Sequence, residues 1–393
     1  MPKAKDIKQA QQKTAQQSIV ERPEKSLAEF LEKNENAHLH YNFIEEIYYR
    51  VSTGSMNLDI ATGGGLMPGV HRFVGATEGG KSSEALEVMR NHLKEPNTRG
   101  FLVKAEGRLH REMQERCGIP FVFDPDKWED GTCFVLETNI YELVGRTINM
   151  LFANNVHAQK RYCFIIDSVD ALMSEKNLTK EAGDGRSPGG GTPMITAQLL
   201  QQCSISMSKY GHLAIFISQV RDQVSIDPYA KKVHKITSSA GGHALNHYAN
   251  FVLEFQPRTF NSMILKDPKG KLDEEKNPAL GHVVTVIVKK STNESTHKSV
   301  KYPVRYGRRK QSSIWTEREI FEPLLTYQFL VRKGAWISFS EPLQKELDAA
   351  GIVVEPKYQG EDNFFSALEG NQKLSDFLKA KIADFISTIS GLE

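Results

Sequence analysis

The chain has 393 residues, 39% of them hydrophobic and 25% charged, with a net charge of +2. That is enough for one large α/β core with appendages. No run of about twenty apolar residues exists, the polar N-terminus lacks an apolar signal core, and Cys117, Cys133, Cys163 and Cys203 are scattered without a C-x-x-C pair. A transmembrane helix, a secretory leader, a disulfide framework and a zinc site are therefore not expected, and the compartment reads as intracellular and reducing.

Residues 1–24 are rich in Gln and Lys and poor in apolar residues, so a disordered segment or loose helix is expected. Residues 25–50 place Leu27, Phe30, Leu31, Phe43, Ile44, Ile47 and Tyr48 at helical spacing ahead of any core. Such a segment is expected to dock on another subunit. The core then alternates strands with helices. Predicted strands are Val70–Gly75, Phe101–Ala105, Phe134–Glu137, Cys163–Asp167, Leu213–Val220, Phe251–Phe255, Val283–Val288 and Tyr302–Tyr306. Several are near-continuous apolar runs, as strands covered on both faces require. Predicted helices are Lys81–Glu95, Ile140–Asn154 and Pro193–Tyr210, the last with Thr192 as N-cap and Pro193 in the first turn. The later strands lie close together and predict hairpins at one sheet edge. Two Gly/Ser-rich or basic segments, Lys180–Thr192 and Arg221–Gly242, resist assignment and read as functional loops. From about residue 312 the composition shifts toward a small α+β domain containing Ala335–Phe339 and a helix over Gln372–Ile389.

Gly75-Ala76-Thr77-Glu78-Gly79-Gly80-Lys81-Ser82 reads G-x-x-x-x-G-K-S, with a predicted strand before it and a helix after it. Glycines allow the tight turn that aims backbone N–H groups at phosphate oxygens, and the helix N-terminus adds its dipole. Lys81 is expected on the β- and γ-phosphates and Ser82 on Mg²⁺, with Ser83 completing the nucleotide-binding set. Cys163–Asp167 is an apolar strand ending in a carboxylate, placed to hold Mg²⁺ directly or through water. Glu106 follows another strand end. There it can polarise the water that attacks the γ-phosphate or cap a helix, and the local sequence leaves both open. Gln219 ends a further strand, where an amide can bond the γ-phosphate and release it, or stand as a polar strand end.

The basic loop after Gln219 carries Arg221, Lys231, Lys232, His234 and Lys235 with Tyr229 interleaved, and Gly241 and Gly242 offer backbone N–H groups. This suits a single-stranded nucleic-acid backbone. Residues 312–393 hold 8 Lys and Arg against 13 Asp and Glu, which leaves the first 311 residues at +7. The Lys289–Lys310 block is the densest basic run. It reads as a solvated face or a polyanion surface.

The order of these motifs resembles the RecA-type recombinases, including the phage UvsX branch. Val51–Asp59 resembles the lead-in to that family's core, and Gly75–Ser82 its P-loop. Ala105-Glu106 resembles the segment with its catalytic glutamate, Ile166–Leu172 its Mg²⁺-binding strand, and Ser218–Arg221 its nucleotide-sensing glutamine. Ser239–Leu245 resembles the end of its second DNA loop, and Gly334-Ala335-Trp336 its C-terminal domain. Lys290 lies where the family's lysine reaches ATP across a subunit boundary. The resemblance implies a RecA-like P-loop ATPase core over 51–311 with a twisted, mostly parallel sheet. It also implies an N-terminal tail and oligomerisation helix over 1–50 and a small C-terminal domain over 312–393. By the same resemblance Glu106, Lys81 and Gln219 are catalytic, and Ser82 and Asp167 bind metal. Arg186, Arg221, Lys231, Lys232, Lys235, Gly241 and Gly242 contact DNA.

The implied activity is DNA-dependent ATP hydrolysis with ATP and Mg²⁺, driving filament assembly on single-stranded DNA and strand exchange with double-stranded DNA. Implied partners are further copies of the chain, single-strand-binding proteins and mediator proteins, at DNA in the cytoplasm and away from membranes. A ring-shaped helicase-type motor and a regulatory filament without strand exchange are the alternatives. The chain departs from bacterial members at Met194 and Gln201, where they tend to place arginines, and at Asn246-His247 and Thr292. The insertion over 266–278 has no counterpart. These departures suggest a phage or other divergent source.

Overall fold

Gly69–Gly75 (β1) is the centre of the fold, buried along its whole length. It is preceded by helix α1, Met56–Thr62, and followed through the Gly-rich turn by α2, Lys81–His92. The computed structural model describes residues 27, 29–31, 45, 47–155, 159–177, 192–219, 242–293 and 296–390. Ile47–Glu393 forms one compact unit. Of the segment expected to carry the oligomerisation helix, Leu27 and residues 29–31 are helical, Glu45 and residues 47–50 are not helical, and the rest lies outside the described residues.

After α2 come β2 (Thr98–Lys104), α3 (Arg111–Cys117), β3 (Phe121–Val122), β4 (Cys133–Glu137), α4 (Tyr141–Asn155) and β5 (Arg161–Asp167). Then follow α5 (Thr192–Lys209), β6 (Leu213–Gln219), α6 (Gly242–Tyr248) and β7 (Phe251–Phe255). β8 (Met263–Leu265), β9 (Ala279–Lys290) and β10 (Ser299–Arg305) close the sheet. Its order is β10-β9-β7-β1-β6-β5-β2-β4-β3, with β8 on β9. The run from β7 to β3 is parallel, and β9 and β10 add the antiparallel edge that the close spacing predicts.

Alternation along each strand divides the core. Cys163 and Ile165 face a cluster with Ala85, Val88 and Met89 of α2. Phe164 and Ile166 face one with Ile148 of α4 and Leu199, Leu200 and Cys203 of α5. Burying each Leu, Ile or Phe contributes about 1.5–3 kcal/mol, so both layers hold the sheet firmly. The four cysteines are free. No described helix is long and apolar enough to cross a membrane.

Some boundaries differ from expectation. β9 is much longer than Val283–Val288, because Gly281 and His282 pair with β10 and Lys290 with β7. α2 ends at His92 rather than Glu95, four residues ahead of Pro96. α5 begins at Thr192 itself, which is helical rather than a flanking cap.

The C-terminal segment comprises α7 (Thr316–Glu319), α8 (Phe321–Thr326), β11 (Leu330–Lys333), β12 (Trp336–Phe339), α9 (Glu341–Ala349), β13 (Tyr358–Gln359), α10 (Glu361–Gly370) and α11 (Gln372–Ser390). Its antiparallel sheet and helices share one cluster built on Phe321, Leu324, Ile337, Leu343, Phe364 and Leu378, to which Met56 and Ile264 of the core contribute. The insertion over 266–278 is stapled by Asn277. Its amide donates to Asp267 O and Lys271 O at 3.0 Å each, and its Oδ1 accepts from Asp267 N at 2.6 Å.

Candidate functional site

The turn after β1 has a shape only glycine permits. A Cβ on Gly75, at φ +151°, would lie 2.1 Å from Phe255 O. Gly80 stands at φ 99° and starts α2 without any side-chain cap. The first-turn N–H groups of this 12-residue helix are thus left for an anion. Lys81, 7% exposed, donates to Gly75 O at 3.0 Å and Ala76 O at 2.5 Å. Burial pulls its ammonium down, opposed by the carboxylates of Asp167, Glu106 and Asp170. Ala76, Thr77, Glu78, Gly79, Ser82 and Ser83 complete the turn and the first helical residues.

β1, β6, β5 and β2 are successive neighbours in a parallel sheet, so their carboxyl ends open on one edge. There Gln219, Asp167 and Glu106 come together. Glu106 Oε1 accepts from Ser168 Oγ and, at 3.2 Å, from the Gln219 amide. Gln219 N donates to Asp170 Oδ2 at 2.7 Å. Ala105 N donates to Asp167 O at 2.8 Å, which locks the turn carrying Glu106 to the end of β5. Glu106 is therefore bonded across strands to Ser168 and Gln219. Ser82 and Asp167 supply hard oxygen donors suited to Mg²⁺. Among the described residues no group of three or more His, Cys, Asp or Glu could hold a metal alone.

Several residues here escaped the sequence reading. Lys104 ends β2 directly beside Asp167 in register, and its ammonium lies 2.6 Å from Asp167 Oδ2. A lysine closing an apolar strand is a visible signal only when the neighbouring strand is known. Arg72, buried within β1, donates to Ser218 Oγ at 3.1 Å and to Asn246 Oδ1. Burial pulls it down to about 10, against the field of Asp170. One guanidinium thereby ties the strand end before residues 220–241 to the helix after them. A basic residue inside an apolar strand was the available clue.

Beside the P-loop lies a cleft of about 280 Å³ lined by Ser83, Arg116, Arg258, His282, Tyr306 and Gly307, among others. Arg258 donates to Tyr306 Oη at 3.3 Å and stands 3.7 Å from Glu78. The His282 and Tyr306 rings lie 5.4 Å apart.

Other expected residues sit elsewhere. Lys290 donates to Asn246 O at 2.9 Å and His247 O at 2.8 Å, engaging carbonyls of α6. Gly242 is the first residue of α6. Arg186, Arg221, Lys231, Lys232, Lys235 and Gly241 lie outside the described residues.

The RecA N-terminal domain family matches residues 38–307. Similar curated proteins, each named Protein RecA, come from Petrotoga mobilis, Sinorhizobium fredii and Rickettsia bellii. The first is 26% identical over 334 residues, 84% of this chain and 78% of the relative. The second is 26% identical over 296 residues, 74% and 71%. The third is 24% identical over 348 residues, 87% and 86%. With a P-loop, a strand-end Asp, a Glu and a Gln gathered on one sheet edge, and a family match over most of its length, the chain belongs to the RecA family of DNA recombinases.

Proposed function

We propose that this chain is a DNA-dependent ATPase that assembles as a helical filament on single-stranded DNA and promotes homologous pairing and strand exchange. The observation that carries the reading is the contact of Gln219 with Glu106. It joins Glu106, proposed here as the water-activating acid, to the strand that leads into residues 220–241. Lys81 and the α2 N–H groups bind the β- and γ-phosphates. Ser82 and Asp167 would hold Mg²⁺, with phosphate and water oxygens completing its shell. Bound there, Mg²⁺ would offset the charge that builds on the phosphates. Glu106 orients the water, Gln219 senses the γ-phosphate, and Tyr306 and Arg258 border the cleft next to the phosphates. Residues 186, 221, 231, 232, 235, 241 and 242 are assigned to DNA, with Lys290 reaching a neighbouring subunit's ATP once it leaves the α6 carbonyls.

Electron microscopy with single-stranded DNA and a non-hydrolysable ATP analogue, paired with a strand-exchange assay, tests the reading. Helical filaments with exchange are expected. Closed rings would favour a motor, and filaments without exchange a regulatory protein.

A further inference from the structure

The metal carboxylate of this site already carries a cation of the chain's own. Lys104 is flanked in register by Asp167 on β5 and Glu137 on β4, and its ammonium sits on Asp167 Oδ2 at 2.6 Å. Both side chains are largely withdrawn from water, at 16% and 10% exposure, so solvent screens the pair weakly. Asp167 is held from its other side as well, because its carbonyl accepts from Ala105 N and fixes the strand end. The β2–β5 ladder thus fixes the Cα positions of Lys104 and Asp167 side by side, and the ion pair holds the two side chains together. Lys81 is a second ammonium in the field of Asp167. A divalent cation at this carboxylate therefore competes with Lys104 on Oδ2 and feels the charge of Lys81 as well.

We propose that Lys104 is a positioning residue that competes with the divalent cation for Asp167. By occupying Oδ2 it leaves the other carboxylate oxygen for the metal. It also lowers affinity for metal without nucleotide, so that Mg²⁺ is held only together with the nucleotide's phosphate oxygens. This builds on the assignment of Asp167 to the metal. It adds a requirement for ordered or joint loading of metal and nucleotide, set by one lysine.

The test measures Mn²⁺ binding to the full chain by electron paramagnetic resonance, without nucleotide and with ADP. Lys104→Met should raise nucleotide-free Mn²⁺ affinity by roughly tenfold or more, the scale on which a neighbour of a metal ligand acts. The gain should shrink with ADP and vanish in Lys104→Met combined with Asp167→Asn. Because Lys104→Met leaves a buried carboxylate unpaired, its melting temperature should drop in chelator and recover with Mn²⁺ alone, whereas the unaltered chain should respond little. If Lys104→Met misfolds, Lys104→Gln carries the same measurements. A Lys104 variant that binds Mn²⁺ no more tightly than the unaltered chain overturns the competition. Asp167→Asn binding Mn²⁺–ADP normally would instead overturn the metal assignment itself, and the proposal with it.

Discussion

Lys81 rests on two carbonyls of its own turn, and a triphosphate has to draw it from Gly75 O and Ala76 O. No other cation occurs within Gly75–Ser82, so Lys81→Ala should abolish ATP binding in equilibrium titration. Glu106 is placed by partners rather than by its neighbours in sequence. Glu106→Gln should preserve nucleotide binding and slow hydrolysis by about a hundredfold or more, the usual loss for a general base. An unchanged turnover would reduce Glu106 to a structural acid. Gln219→Ala should keep basal ATPase and lose most of its stimulation by single-stranded DNA, measured as the ratio of the two rates. Local sequence left Glu106 and Gln219 each with two readings. Their 3.2 Å contact spans 113 positions, and such a distance along the chain is closed only by the sheet.

The start of the core depends on an element far away in sequence. Glu319 of α7 accepts from Ser55 Oγ at 2.6 Å and from Met56 N and Asn57 N at 3.1 Å each, so it caps α1. Glu319→Ala would strand those donors in a buried place and should destabilise the fold by roughly 1–3 kcal/mol in urea melts. α2 carries a related feature. Glu84 is fully buried, accepts from Tyr302 Oη at 2.7 Å, and its Oε1 has no partner among the described residues. Burial pushes its carboxyl well above the ordinary 4.5, reinforced by Glu87, Asp59 and Glu319. The folded state therefore holds this proton more tightly than the unfolded chain does. Its contribution to stability is full below pH 4.5 and is lost as pH rises toward the raised folded value. Glu84→Gln should remove that loss, giving a flatter stability profile between pH 5 and 8 by denaturant melts. A profile unchanged from the parent would assign the pH dependence to Asp59 and Glu319, which burial also raises.

At the scale of the molecule, the compact unit begins at Ile47, and Tyr49 and Arg50 are part of it. Tyr49 Oη donates to Gly211 O at 2.6 Å, and Arg50 donates to Thr62 O and Gly65 O. Removing residues 1–46, rather than 1–50, should leave a folded core that light scattering reports as mainly monomeric. Unchanged assemblies would place the subunit contact elsewhere. DNA binding through Lys231, Lys232 and Lys235 should act on phosphates. Replacing all three by Ala should weaken binding equally for all sequences and flatten its salt dependence.

The chain by itself determined the P-loop, the apolar strands, the Asp at the end of β5 and the family. Each of these is written in contiguous residues whose spacing or hydrophobicity carries the meaning. Only the tertiary structure decided that Lys104 would sit on Asp167, that Arg72 would join Ser218 to Asn246, and that Glu319 would cap α1. Those pairings follow from strand order and from the packing of the C-terminal segment on the core. Strand order, register and the packing of α6 bring side chains 63, 146 and 174 positions apart within bonding distance, and no local pattern encodes that.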